Sequence, residues 1–291
     1  MPITENAEDM LYPIGIQNFE DLRRNEFVYV DKTRHIYRLT STGKYYFLSR
    51  PRRFGKSLLV STMEAYFKGK KELFNGLAME ELEKDWVEYP VLHLDLNGSK
   101  YMNAGDLDDV LNMNLCRWEA EYGVSTIYRT PSVRFQTVID TAYEKTGRQV
   151  VILIDEYDKP IVDNLGNPEV ADDFKKTLQG FYSVLKAKDG QIRFGFLTGV
   201  SKIGKLSVFS GLNNLRDISM LPDYSDICGI SEEDIHRFFG ESVAELADAN
   251  QLSVDECFKR LKDRYDGYHF SEDSVGMYNP FSLLNTFSSN K

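Results

Sequence analysis

An α/β fold, with helices on both faces of a mainly parallel sheet, is what this 291-residue chain predicts, and three stretches predict it. The apolar run Tyr45-Tyr46-Phe47-Leu48 leads through Arg50-Pro51-Arg52-Arg53-Phe54-Gly55-Lys56-Ser57 into a helical pattern that starts at Leu58. Val150-Val151-Ile152-Leu153-Ile154 is a continuous, largely β-branched run that ends in Asp155-Glu156. Ile192-Arg193-Phe194-Gly195-Phe196-Leu197 ends in Thr198-Gly199. Short runs that are apolar throughout, rather than alternating, belong to strands covered on both faces, and such strands form parallel sheets.

The first stretch carries chemistry. Gly55-Lys56-Ser57 completes the pattern G-x-x-x-x-G-K-[ST], although Arg50 stands where the opening glycine would be. A glycine before a helix lets the backbone approach a phosphate. The first-turn N–H groups and the helix dipole attract the anion, the lysine reaches the terminal phosphates, and the serine hydroxyl can ligate Mg²⁺. The second stretch supplies the complement. An acid at the C-terminal end of a buried strand lies where open α/β sheets bind ligands. Asp155 is placed to hold Mg²⁺ and Glu156 to polarise an attacking water. Taken singly, either acid would read as the cap of the next segment. Together with the loop they predict a three-layer α/β/α P-loop NTPase of the additional-strand type. In that type a polar residue tips the strand beside the acidic one, and Thr198 holds that place in chain order. As a turn residue before Gly199 it would need no such role.

The elements follow in order. Residues 1–12 are polar and expected to be loose, and Phe27-Val28-Tyr29-Val30 is a short strand candidate. Asp31-Lys32-Thr33 opens a helical pattern through Ile36, Tyr37 and Leu39. Residues 1–44 reach the loop so soon that they are expected to lie near the nucleotide base. Residues 45–228 form the expected ATPase core. Helices are expected over Leu58–Phe67, Leu73–Leu82 and Leu107–Tyr122, and a strand over Val91–Leu96. His93 within that strand reads as a core histidine, because no second His or Cys stands at ligand spacing. Asp172–Leu185 has apolar residues at Phe174, Leu178, Phe181, Tyr182 and Leu185, the spacing of an amphipathic helix. Lys202–Met220 reads as a long loop, in which Arg216 is either a phosphate contact or a surface residue.

Residues 229–291 read as a small helical domain. Ser231 caps a helix with Glu232-Glu233-Asp234 in its first turn, and Ser253–Tyr265 repeats the signal. Tyr265-Asp266-Gly267-Tyr268 reads as a turn, and Tyr278-Asn279-Pro280-Phe281 opens a last helix.

A net charge of −10 argues against a broad nucleic-acid surface and leaves only the local cluster Arg50, Arg52, Arg53 and Lys56 for such contacts. Three cysteines, at 116, 228 and 257, suggest neither a disulfide framework nor a zinc site. No apolar run approaches the ~18–20 residues of a membrane span, and no signal pattern opens the chain. A cytoplasmic protein with no membrane association is expected.

These stretches, with Tyr29-Val30-Asp31-Lys32-Thr33, Phe209-Ser210-Gly211-Leu212-Asn213-Asn214-Leu215, Tyr265-Asp266-Gly267-Tyr268 and Tyr278-Asn279-Pro280-Phe281, resemble the bacterial AAA-ATPase-like proteins. The resemblance runs from about Pro13 to Phe281. It implies an ATPase of the AAA+/signal-transduction type, in which Arg50 at the missing glycine is the usual variant. Many relatives continue into a nuclease-like domain of the PD-(D/E)XK class. Its motif is not found here, which suggests a truncated or short member, with nucleic acid as a possible partner through that missing domain. The expected activity is Mg²⁺-dependent ATP hydrolysis coupled to the C-terminal region. Arg52, Arg53, Phe54, Gly55, Lys56, Ser57 and Leu58 would bind nucleotide, Ser57 and Asp155 the metal, and Lys56, Glu156 and Thr198 would serve catalysis. The alternatives are a non-hydrolysing nucleotide switch or interaction module and a nucleic-acid-associated ATPase of a nuclease system; a homo-oligomer is a possible partner under each. No Asn-Lys-x-Asp guanine-reading motif is found; that absence does not identify ATP, which is the nucleotide the resemblance implies.

Overall fold

The computed structural model describes residues 10–125, 128–202, 208, 209, 212, 214–272 and 274–290. Five strands form the main sheet: β1 (Tyr45–Ser49), β2 (Val91–Asp95), β3 (Val150–Asp155), β4 (Ile192–Gly199) and β5 (Arg216–Asp217). They run in the order β2-β3-β4-β1-β5, and every adjacent pair is parallel. All six residues of β3 are buried, as its uninterrupted apolar run requires.

Side chains alternate across each strand, so the sheet divides two cores. Tyr45, Phe47, Ile152 and Ile154 pack beneath helices Ala104–Tyr122, Pro131–Thr146 and Pro168–Ala187. Tyr46, Leu48, Val151 and Leu153 pack with Phe194 and Phe196 beneath helices Phe19–Arg24, Thr33–Thr42, Lys56–Phe67 and Ala78–Leu82. The expected layering of helix, sheet and helix is therefore present.

Register brings the strand tips level. Leu48 lies opposite Thr198, Ser49 opposite Gly199, Ile154 opposite Leu197 and Asp95 opposite Asp155. The C-terminal ends of β1, β3 and β4 thus open onto one edge, where parallel sheets present their ligands.

Beyond the main sheet, Ile230–Ser231 (β6), Asp266–Tyr268 (β7) and Met277–Tyr278 (β8) form a second, antiparallel sheet in the order β6-β8-β7. Around it stand helices Glu232–Phe238, Gly240–Ala249, Val254–Tyr265 and Pro280–Ser289. Ser231 and Ser253 each close a capping box, with Asp234 and Glu256. A core of Ile235, Phe239, Val243, Leu261, Leu283 and Phe287 holds these elements together, and Tyr12, Ile14, Val28 and Val30 of the N-terminal segment pack against it.

Three local expectations are corrected, and two helices are added. Phe27–Val30 has the alternation of a strand, with Tyr29 on one core and Val28 and Val30 on another, but forms no strand. Its backbone bonds are the isolated ones from Phe27 N–H to Leu22 O at 3.1 Å and from Val28 N–H to Leu11 O at 3.0 Å, which build no ladder. Leu73–Leu82 is split into a 3₁₀ turn, Lys71–Phe74, and a helix, Ala78–Leu82, because Gly76 between them takes φ = 76°. Asp266–Tyr268 is strand rather than turn, since Asp266 and Tyr268 pair with Tyr278 and Met277. Helices Pro131–Thr146 and Gly240–Ala249 were not expected. The former starts with proline at its first turn, where a missing N–H costs nothing. Residues 1–9, Ser210, Gly211 and Asn213, which carry parts of the expected loose N-terminus and long loop, lie outside the described residues.

Candidate functional site

Gly55 takes φ = 91° and stands at the N-cap of helix Lys56–Phe67, in the left-handed conformation. A Cβ there would meet nothing within 4 Å, so the backbone angle and not crowding calls for glycine. No side chain caps this helix. Its first-turn N–H groups therefore keep their anion-binding character.

These residues form one wall of an open cavity of about 340 Å³. Arg52, Arg53, Gly55, Lys56, Ser57 and Leu58 line that wall. Glu156, Asp158 and Lys159, just past the tip of β3, line the second. Pro13–Gln17 and Pro280, Phe281 and Leu284 close it from the two ends of the chain.

Lys56 is only 4 % exposed. Its Nζ lies 3.1 Å from Glu156 Oε1 and donates to the carbonyls of Arg50 and Pro51 at 3.1 and 3.2 Å. The lysine of the loop and the second acid of the strand therefore meet directly. Glu156 holds φ = 55°, a conformation an ordinary side chain rarely adopts. Burial pushes its carboxyl above the usual glutamate range; Lys56 pulls it down, and Asp155 pushes it further up.

Asp155 is 2 % exposed and accepts a short hydrogen bond on Oδ1 from the Thr198 hydroxyl. The same hydroxyl oxygen accepts the Glu156 N–H at 3.4 Å, and Thr198 O accepts the Tyr157 N–H at 2.9 Å. Thr198 thus ties both acids to the tip of β4. On β2, the Asp95 carboxyl is raised, first by burial and further by Asp155, although the Asn97 N–H at 2.7 Å opposes this.

Asp158 is fully buried. Its carboxylate accepts from Val200 N–H at 3.2 Å and from Ser201 N–H and Oγ at 2.8 and 2.7 Å. Gly199 permits this clasp. A Cβ there would stand 2.5 Å from Tyr157 Cε1 and 2.6 Å from Asp158 Oδ1. Gly199→Ala should lower stability by about 1–3 kcal/mol, the usual cost of overpacking, read as the shift in a urea unfolding midpoint. An unchanged midpoint would mean that the clasp is loose.

Of the expected site residues, Arg52, Arg53, Gly55, Lys56, Ser57, Leu58 and Glu156 come together on the cavity wall. Asp155 and Thr198 stand behind Glu156. The Phe54 ring turns away, buried edge-on against Tyr268 and Phe270 at centroid distances of 4.7 and 5.4 Å. Arg216 is on β5 opposite Tyr46, well back from the strand tips, and does not line the cavity. Asp158, Lys159, Asn97 and the C-terminal residues that line the cavity were not singled out for the site, whereas the N-terminal segment was expected beside it. Asp158 had one signal, its place in Asp155-Glu156-Tyr157-Asp158. The C-terminal residues had none, since a contact between distant segments leaves no trace in a local window.

Among the described residues, no three His, Cys, Asp or Glu side chains gather as a metal cluster, and no helix is long and apolar enough to cross a membrane.

The family model described as "Predicted AAA-ATPase" matches residues 13–209. A curated relative from Azotobacter chroococcum mcd 1, described as an uncharacterized protein in the vnfD 5′ region, is 41% identical over 277 residues. The match covers 94% of this chain and 51% of the relative, so the chain spans about half that protein's length. No solved structure matches.

Proposed function

The chain belongs to the family of predicted AAA-ATPases, and from that premise we propose that the cavity binds ATP with Mg²⁺ and hydrolyses it. The observation that carries this reading is the meeting of Lys56 and Glu156, 3.1 Å apart, over a cavity that an uncapped helix N-terminus faces. The position of β4 between β1 and β3 supports the additional-strand class of P-loop NTPases.

In this reading the ATP phosphates lie on the amides of Gly55 to Leu58. Lys56 leaves Glu156 and the two carbonyls for the terminal phosphates. Glu156 is then an unpaired carboxylate with a raised proton affinity, suited to accept a proton from water. Thr198 is a positioning residue, which orients Asp155 and Glu156. The donor set fits a hard cation: Ser57 offers a hydroxyl and Asp155 a second carboxylate oxygen, and Mg²⁺ commonly takes one or two protein ligands, completing its shell with phosphate and water. Bound Mg²⁺ would neutralise charge developing on the transferred phosphoryl group. The 13–17 segment and the start of helix Pro280–Ser289, which close the cavity, are the surfaces for base and ribose. This placement supports the division into an N-terminal segment over residues 1–44, a core over 45–228 and a C-terminal region over 229–291.

A non-hydrolysing switch uses the same site without the role of Glu156 as base. Two contacts favour coupling to the C-terminal region: Arg53 Cζ stacks 4.1 Å over the Phe281 ring, and Asn279 Nδ2 donates to Arg52 O at 3.4 Å. The nucleic-acid reading is weaker. Arg50 is buried and Lys56 is paired, which leaves Arg52 and Arg53 of the four-residue basic cluster.

Calorimetry with ATP and GTP, with and without Mg²⁺, tests the reading. The expected result is Mg²⁺-enhanced ATP binding that is lost in Lys56→Ala. A folded wild-type protein that takes up neither nucleotide would overturn it.

A further inference from the structure

Arg50 stands where the general phosphate-loop pattern has its first glycine. Its side chain faces away from the cavity and is 1 % exposed. The guanidinium donates to the carbonyls of Ser49 at 2.9 Å, Ser219 at 2.8 Å, Tyr224 at 2.8 Å and Ser225 at 3.4 Å. Its Cζ lies 3.8 Å from the centroid of the Phe270 ring. Among the described residues no carboxylate pairs with it, and its Nε is buried without a partner.

A buried charge is unfavourable unless its donors are satisfied. Here four carbonyls and a ring face do the work that a carboxylate usually does. The planar fork of arginine suits this role, because its donors diverge in fixed directions. They join the start of the phosphate loop to the 219–225 turn, while the flat face of the group lies against a residue just beyond β7.

The other end of the loop is fastened to the same place. The Phe54 ring packs on Tyr268 and Phe270 and shares a buried cluster with Phe270 and Met277. Phe54 O accepts the Gly229 N–H at 3.1 Å. Gly229 takes φ = 92°, and a Cβ there would stand 2.9 Å from Phe54 Cε1. Arg50, Phe54 and Phe270 do not line the cavity. The loop therefore has a phosphate-facing side and a separate anchored side.

We infer that Arg50 is a positioning residue that holds the phosphate loop in its binding conformation through Phe270, so that nucleotide affinity depends on a C-terminal ring that touches no ligand. A loop held at positions 50 and 54 has little freedom left to lose on binding, and preorganisation of that kind raises affinity. The inference rests on the nucleotide reading of the cavity.

Arg50→Gly restores the glycine of the general pattern and is the discriminating variant. If arginine merely replaced that glycine, ATP affinity would stay level or improve. As a strut, its loss should weaken ATP binding about tenfold or more, the equivalent of one or two net hydrogen bonds. Phe270→Leu should weaken binding in the same direction, and Phe270→Tyr, which keeps the ring face, should bind like wild type. Affinity is measured by calorimetry well below each variant's unfolding temperature, where lower global stability alone leaves it unchanged. Hydrogen exchange of residues 50–57 in the nucleotide-free protein should quicken in Arg50→Gly and Phe270→Leu and not in Phe270→Tyr. Arg50→Gly binding as tightly as wild type, or unchanged exchange in both weakened variants, overturns the strut. If Arg50→Gly fails to fold, the two Phe270 variants decide. If wild type binds no ATP, the nucleotide reading falls, and the exchange comparison still decides whether Phe270 and Arg50 hold the loop.

Discussion

Glu156→Gln should bind ATP at least as tightly as wild type and turn it over roughly 10²–10⁴-fold more slowly, the usual contribution of a positioned general base. The amide keeps the shape of the side chain but cannot accept the proton of water. It also releases Lys56 from its 3.1 Å ion pair, which leaves the ammonium free for phosphate. The pH dependence carries a sign. Burial raises the Glu156 carboxyl above the usual range, against the pull of Lys56. As pH falls through that raised value the carboxylate is protonated and the rate drops. The acid limb of the wild-type rate should therefore lie above the ~4.3 of an ordinary glutamate, and the residual rate of Glu156→Gln should lack it. Stability runs the other way: a raised carboxyl weakens folding as pH rises through it, so wild-type stability should fall over that window and the glutamine variant should lack that fall, read by thermal unfolding over the same pH range. Single-turnover hydrolysis and nucleotide binding, run in parallel over pH, check all of this. Unchanged turnover would remove Glu156 from the mechanism.

Lys56→Ala should lose nucleotide binding by roughly two orders of magnitude, about 2.7 kcal/mol, since hydrogen bonds to charged groups contribute about 1.5–3 kcal/mol each. The same substitution strips Glu156 of its partner. Breaking a fully buried pair can cost about 3–5 kcal/mol. The cost here should be smaller, because Glu156 keeps 13% of its side chain exposed and can take up a proton. Destabilisation of Lys56→Ala should therefore be larger at about pH 8 than at about pH 5. The double variant Lys56→Ala/Glu156→Gln separates the two effects. It should recover much of the lost thermal stability and none of the binding. Because Lys56 also donates to the Arg50 and Pro51 carbonyls, a part of the stability loss should persist in both. A double variant no more stable than Lys56→Ala would show that the pair is not what Lys56 contributes to the fold.

Much of the site was legible because its parts are local. Gly55-Lys56-Ser57 sits between an apolar run and a helical pattern, and those two periods place it at a strand–helix junction. Asp155-Glu156 follows an uninterrupted apolar run and Thr198 a largely apolar one broken by Arg193 and Gly195, so both stand at the tips of buried strands. The errors share a cause. Phe54 was read as part of the binding surface because every residue of a loop looks equally exposed in sequence, yet Phe270 and Tyr268 receive its ring. Asp266–Tyr268 carries turn residues, and it becomes a strand only because Met277–Tyr278 lies beside it.

What the chain determined by itself is the series of strand, phosphate-type loop, helix and acid-tipped strand, because hydrophobic period and the backbone freedom of glycine act over a few residues. Only the tertiary structure decided the order β2-β3-β4-β1-β5, the closing of the cavity by residues 280–284, and the inward turn of Arg50. Those depend on contacts such as Lys32 with Asp234, 202 residues apart, and Asn279 with Arg52, 227 apart. Their free energy comes from burial and pairing once the whole chain has collapsed, and no local window of sequence contains both partners.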